Sequence, residues 1–457
     1  MRAILPLLLV NFWYSSALVP ANDANWKAGV GSVVITPPQS MWMSGYASRD
    51  RPAQGKLHDL FVKAMLLEDA RGHRSLALTF DLVGIDRATS QEICRRILDE
   101  FGLDRSQIAL CTSHTHSGPV VGRNLLSMYA LDQEQLGLVR KYTDFLTDQT
   151  LAAVKQAVQS HAPVLAEAGD GSADFAVNRR NNREADVPAL REQGELVGPV
   201  DHDVPVLALK HPNGKLRAVL FGYACHATVL SGMDWCGDWP GYAQIEIESR
   251  HPGVTALFWA GCGADQNPLP RRTVELAQKY GRMAADAVDQ VLETKLQPVS
   301  GDLSCGYQEI DLKLGDLPDA DQINADLESS NVYIARRATL LQEQIQTDGR
   351  LAKTYPYPIQ VWRLGNAATL TFLGGEVVVD YSLRLKRELP AGRHWIAAYS
   401  NDVMAYIPSL RVLREGGYEG ASSMIYYGLP TIWSADVEEQ VVQGVLKLHH
   451  QLDEIER

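Results

Sequence analysis

The stretch QIALCTSHTHSGP, Gln107 to Pro119, carries a short apolar, β-rich run directly into two histidines set one residue apart among small and polar residues. A run of this length bounded by turn-forming residues reads as a buried strand. On a strand, residues i and i+2 share a face, so His114 and His116 can address one site. The same design recurs outward along the chain. SLALTFDL runs into Asp81, LRAVLFGYACH ends on His226, TALFWAGCG stops short of Asp265, ATLTFLGGE ends on Glu376, and HWIAAYSND ends on Asn401 and Asp402. Helical periodicity separates these runs at TSQEICRRILDEFG, YTDFLTDQTLAAVKQAVQSH, RTVELAQKYGRMAADAVDQVLET and SADVEEQVVQGVLKLHHQLDEI. Such alternation implies an α/β fold, a mixed β-sheet core covered by helices. Ligands of open α/β sheets bind beyond the carboxyl ends of strands, so the reactive endings are expected to converge on one crevice.

The remaining composition bounds the possibilities. A chain of 457 residues can bury one large core or two ordinary ones. No Pro/Ser-rich linker divides it, so residues 22–457 read as one catalytic unit, with 300–355 as a possible polar helical insertion around a long helix at 325–346. A net charge of -12 argues against a nucleic-acid partner, because the basic footprint that phosphate contacts demand is missing. Residues 1–21 have a positive start, an apolar run and small residues after it. That pattern predicts a signal peptide and export to the periplasm or the extracellular space, with no transmembrane segment later in the chain. Six cysteines lie at 94, 111, 225, 236, 262 and 305. A disulfide bracing the site and buried free thiols are both compatible with them, and nothing in the sequence speaks to oligomeric state.

The chemistry of the endings is that of a metal or an acid–base site. His114 and His116 can both ligate zinc, or one can ligate while the other moves protons. His226 adds a third imidazole, Glu376 a carboxylate, and Gly374 and Gly375 would let the backbone approach a neighbour closely. Trp42, Met43, Trp235 and Trp239 can form a substrate platform or simply fill the core. A thiol nucleophile at Cys225 or Cys262 is disfavoured, since nothing supplies an orienting third group.

Ten segments in register carry a resemblance: GVGSVVITPP, MSGYA, LHDLFVKAMLLED, SHTHSGP, VNRR, CHATVLSG, DWPGYA, LGGE, YSNDVMAYIP and GGYEGASS. The chain resembles the catalytic domain of the neutral/alkaline, non-lysosomal ceramidases. The resemblance implies one zinc ion per chain, held by His114, His226, Glu376 and Tyr418. It implies further that His116 transfers protons, that Arg179 polarises the scissile carbonyl, and that His58 lies at the mouth of the substrate pocket. One departure stands out. Ceramidases carry a required serine where GCGADQNPLP has Gln266, and a carboxamide hydrogen-bonds but cannot become an acyl nucleophile. Asp265 and Gln266 are expected to line the pocket all the same, as catalytic residues. The family's C-terminal immunoglobulin-like domain is not expected here. The reading that follows is a secreted zinc-dependent hydrolase of linear amides, an N-acyl amidase acting on a small-molecule or lipid substrate. A deacetylase or esterase on a small acylated compound or sugar, and a zinc-containing binding protein that has lost catalysis, are its alternatives.

Overall fold

Two sheets face one another, and the apolar runs of the sequence supply both. In the computed structural model, which describes residues 25–455, the larger sheet contains β1 (Trp26–Val34), β2 (Phe61–Glu68), β3 (Arg74–Phe80), β4 (Ile108–Thr112), β5 (Ala162–Ser172), β6 (Asp203–Lys210), β7 (Leu216–Tyr223) and β8 (Thr255–Ala260). Their spatial order is β8-β7-β6-β5-β1-β2-β3-β4, and the short strand Gln297–Pro298 pairs with β5 off this path. Pairing is antiparallel except at the two edges, where β8 runs parallel to β7 and β4 parallel to β3. The smaller sheet has the order β9 (Leu303–Lys313), β10 (Thr354–Leu364), β11 (Ala368–Leu373) and β12 (His394–Ala397).

Strand periodicity sorts the side chains into layers. Along β7, Ala218 and Leu220 point between the sheets while Val219, Phe221 and Tyr223 point away. Between the sheets lie Trp26, Met65, Leu209, Trp259, Trp362, Phe372 and Trp395. On the far side of the larger sheet, helices α1 (Arg87–Phe101) and α2 (Gln133–Gln159) share a core with β2 and β3, while α3 (Asp238–Arg250) and α4 (Val274–Glu293) share one with β6, β7 and β8. The last helix, Val437–Ile455, presents Val441 and Val445 to Ile359 and Val361 on the outer face of the smaller sheet. The result is an α/β/β/α stack. Helix boundaries follow ordinary capping: Asp86 accepts a bond from Thr89 N at 2.7 Å to start α1, and Gly102, at φ 68°, ends it.

Within 300–355 the chain makes β9, two helices and the start of β10. The single long helix expected at 325–346 is two helices, Ala320–Leu327 and Val332–Asp348, around their own small core of Ile323, Ala338, Leu341 and Leu351. Ser329, Ser330 and Asn331 break it, because Asn331 caps the second helix by accepting from Tyr333 N at 3.0 Å.

Trp42, Met43, Trp235 and Trp239 are buried, so they fill the core and do not form a platform. All six cysteines are free. Among the described residues no helix is long and apolar enough to cross a membrane. The signal-peptide expectation for residues 1–21 lies outside the described residues.

Candidate metal centre

Three chain segments leave the sheets at one level and meet where the sheets are stitched together by the isolated bridges Cys111–Ser400 and Gly261–Ala397. His114 follows β4, and its backbone swings into the left-handed region at φ 59°, a costly conformation for a residue with a Cβ. This turn, and not strand alternation, brings the histidine pair together, with Nε2 of His116 3.1 Å from Nε2 of His114. His226 follows β7. Glu376 follows β11 after Gly374 and Gly375; Gly375 adopts φ 74°, and a Cβ there would lie 2.7 Å from the Ala405 carbonyl. Only glycine lets the chain turn so tightly and aim the carboxylate inward.

The hydrogen bonds define what these groups offer. His114 Nδ1 donates to the Val83 carbonyl at 2.6 Å and His226 Nδ1 donates to the Gly263 carbonyl at 2.7 Å. A carbonyl only accepts, so each ring carries its proton on Nδ1 and keeps a lone pair on Nε2. Both Nε2 atoms lie 3.1 Å from Glu376 Oε2. That oxygen is buried and has no hydrogen-bond donor, while Oε1 accepts a short bond from the Tyr427 hydroxyl. Lone pairs converging in a buried space without a proton between them are stable only around a cation. The ring nitrogens of His114, His116 and His226 all lie within 4.8 Å of one another. The cluster can hold a metal ion, and its nitrogen and oxygen donors, with each ligating imidazole anchored through its second nitrogen, suit zinc.

Electrostatics agree. Burial opposes charge on Glu376, but positive charge at the His114 and His226 edge, where a bound cation would lie, outweighs it and holds the carboxyl well below its usual range. Burial, reinforced by Arg179, lowers His226 to about 4. Burial, reinforced by its two histidine neighbours, lowers His116 well below its ordinary value. The site is therefore an anion facing two rings, His116 and His226, that burial keeps unprotonated.

Aromatic rings wall the cluster. Tyr399 lies 4.4 Å from His114 and Tyr46 4.8 Å from His116, centroid to centroid. Tyr406 places its hydroxyl 3.4 Å from His226 Nε2. Arg179 donates to that hydroxyl at 3.1 Å, to Asn267 Oδ1 at 3.2 Å and to Glu419 Oε1 at 2.7 Å, which fixes its guanidinium at the edge of the cluster. Tyr418 packs on this edge, 5.3 Å from the Tyr406 ring, and its hydroxyl feels the Glu376 charge; the residue is 39% exposed and borders the outer cleft.

Three expected site residues stand apart. Gln266 is fully buried: its Nε2 donates to the Ala224 carbonyl at 2.6 Å and its Oε1 accepts from Asp201 N at 3.0 Å. It braces backbone instead of lining a pocket, because the strand Gln266–Pro268 pairs with Ala176–Asn178 and turns this side chain inward. Asp265 is likewise buried, accepting from Val379 N at 2.9 Å and Asn178 Nδ2 at 3.1 Å, and burial raises it to about 6. It is a structural joint. His58 sits behind the histidine loop at the start of α3, donating from Nδ1 to the Asp59 carbonyl and accepting from Gly237 N at 3.3 Å, with both nitrogens committed. Of the other strand endings, Asp81 and Asp402 spend their carboxylates on Phe61 N and the Tyr355 hydroxyl. Conversely, Tyr399, Tyr406 and Tyr427 were not anticipated. The first two fall inside YSNDVMAYIP, but nothing in an isolated tyrosine announces its partner.

Comparison with known proteins supplies a context. The family model for the neutral/alkaline non-lysosomal ceramidase N-terminal region matches residues 26–298, which include His114, His116 and His226; Glu376 and Tyr418 lie beyond it. The neutral ceramidase of Drosophila pseudoobscura pseudoobscura is 24% identical over 264 residues, covering 55% of this chain and 36% of that protein. That of Drosophila melanogaster is 25% identical over 281 residues, covering 58% and 38%. The chain thus aligns with little more than a third of the length of these relatives. A solved structure described as a ceramidase complexed with C2 superposes with a TM-score of 0.73 at 20% identity, over 94% of this chain and 75% of that one. The neutral ceramidase of Pseudomonas aeruginosa superposes with a TM-score of 0.71 at 20% identity, over 93% and 74%. The superpositions establish the shared fold, and the family model spans more than half of the sequence: the chain belongs to the neutral/alkaline non-lysosomal ceramidase family.

Proposed function

We propose that the protein is a zinc-dependent hydrolase of linear amides, cleaving N-acyl compounds of the ceramide type or smaller. One observation carries the reading: the bare Nε2 atoms of His114 and His226 face the donorless Oε2 of Glu376, each at 3.1 Å. These three side chains would hold the ion, with Tyr418 at the edge as the fourth donor. When bound, zinc lowers the pKa of a water and polarises a carbonyl, which makes a nucleophile at ordinary pH.

The chain supplies the rest. His116, kept unprotonated by burial, takes a proton from the attacking water and returns it to the departing nitrogen, the exchange that general acid–base catalysis requires. Arg179, fixed by Glu419 and Asn267, and the Tyr406 hydroxyl direct hydrogen-bond donors toward the carbonyl oxygen as it gains charge. Tyr427 restrains Glu376 so that one oxygen faces the histidines. Because Gln266 is committed to backbone partners, the reaction proceeds without an acyl-enzyme at that position. The amino-terminal composition supports export of the mature protein.

The test is hydrolysis of a panel of ceramides, short N-acyl amines, N-acetyl sugars and simple esters, with and without a chelator. Chelator-sensitive release of amine is the expected result. Turnover unaffected by complete removal of metal would overturn the reading.

A further inference from the structure

A cleft of about 470 Å³ opens beside the metal centre, and its lining includes Arg179, Arg180, Arg183, Arg271, Glu184 and Glu419. Four guanidinium groups against two carboxylates give this cleft a net positive charge in a chain whose overall charge is -12. The carboxylates hold the arginines in place. Glu419 bridges Arg179 at 2.7 Å and Arg180 at 2.6 Å. Glu184 takes Nε and Nη2 of Arg271 at 3.0 and 2.8 Å. Around the rim, Arg180 also meets Glu415 at 2.9 Å, Glu415 is shared with Arg411 at 3.1 Å, and Arg272 reaches Glu184 only at 4.0 Å. Arg183 is the least committed, with its side chain 85% exposed and 3.8 Å from Asp186.

The cleft and the metal centre are contiguous. Arg179 and Tyr418 line the cleft, and Arg179 donates at 3.1 Å to the Tyr406 hydroxyl, which lies 3.4 Å from His226 Nε2. Arg179 is thus the guanidinium common to the cleft and to the edge of the metal centre. Arg271 is held in place by Glu184, while Arg183, only loosely paired with Asp186, keeps its planar fork open for the carboxylate of a ligand. Nothing in an uncharged alcohol headgroup calls for such a set.

Building on the amidase reading, we infer that the substrate is an N-acyl amine bearing a carboxylate, an N-acyl amino acid, whose carboxylate is held in this cleft by Arg183 and Arg271 while Arg179 faces both the cleft and the scissile carbonyl.

The experiment pairs turnover with binding on the metal-loaded enzyme. Turnover compares N-octanoylglycine with N-octanoylglycinamide. Binding, followed by calorimetry, uses the uncleavable ketones in which a methylene replaces the amide NH, as the acid and as its primary amide. The acid is expected to be favoured by about tenfold or more in both measurements, the worth of a charge-assisted bond. The preference should shrink with added salt, and the ratio of acid to amide should fall several-fold in Arg183→Gln and further in the double variant with Arg271→Gln. Equal Kd values for the two ketones, or a preference unmoved by both substitutions and by salt, would overturn the inference. Amide turnover without acid preference would leave the amidase reading standing and remove this one. Selective binding of the acid ketone with no amide cleaved would do the reverse.

Discussion

At the scale of single residues, each imidazole of the cluster is assigned its work by the atom it spends elsewhere. His114 and His226 give Nδ1–H to backbone carbonyls, so only Nε2 remains for a metal. His116 has no hydrogen-bond partner at its buried Nδ1 and faces the cluster through Nε2, which suits proton transfer. Substituting His116→Ala should leave the metal content intact and reduce kcat by roughly 10² to 10⁴, the usual worth of a positioned general base. Equal loss of metal and turnover would make it a ligand instead. Tyr427→Phe removes the donor to Glu376 Oε1 and should weaken zinc affinity about 10- to 100-fold, as loss of a ligand's supporting partner does; chelator competition would measure it. Gln266→Ala should keep the metal but destabilise the fold by about 1–3 kcal/mol, because the Asp201 N–H and Ala224 carbonyl lose buried partners. Denaturant unfolding distinguishes this from a role in substrate binding, which would alter KM at unchanged stability.

Elements decide what the sequence could reveal. Strand and helix periods are written in the order of side chains, so the apolar runs at 75–82, 107–113, 216–226 and 255–263 and the helical periods at 89–102, 142–161, 272–294 and 434–455 were legible, although the second helix begins nine residues earlier, at Gln133. So was the meeting of His114, His226 and Glu376, because each ends an apolar run. What was not legible depends on turns and on partners distant in sequence. His114 reaches the cluster through a left-handed backbone, which an i, i+2 argument does not contain. Gln266 and Asp265 follow a strand just as His226 does, yet the chain pairs again at once, Gln266 against Asn178, and turns them into the core. Gly375 marks the other extreme, a residue whose role follows from its backbone alone. Gly375→Ala forces a Cβ against the Ala405 carbonyl at 2.7 Å in a positive-φ conformation and should shift Glu376. Zinc stoichiometry should drop sharply while far-UV circular dichroism stays unchanged; full metal occupancy would show that the turn has slack.

For the whole molecule, the stack of two sheets between helical layers holds carboxylates in its interior as well as at the metal centre. Burial raises Asp402 to about 7, although the Tyr355 hydroxyl bound to it at 2.6 Å pulls the other way. An unfolded aspartate titrates near 4, so between these values the folded protein retains a proton that the unfolded chain releases. The stability associated with this group is full below about pH 4 and is lost as the pH rises through about 7. Asp402→Asn, which keeps an acceptor for Tyr355, should therefore gain stability relative to the wild type between pH 5 and pH 8 in urea unfolding. An unchanged difference across that interval would mean that Asp402 is ionised throughout. The metal centre is tested by the zinc content of the purified, zinc-reconstituted protein beside Glu376→Gln and His226→Ala. One zinc per wild-type chain is expected and almost none in either variant, with chelator-sensitive amide hydrolysis lost in step; stoichiometric zinc retained in both variants would show that these side chains do not hold the ion.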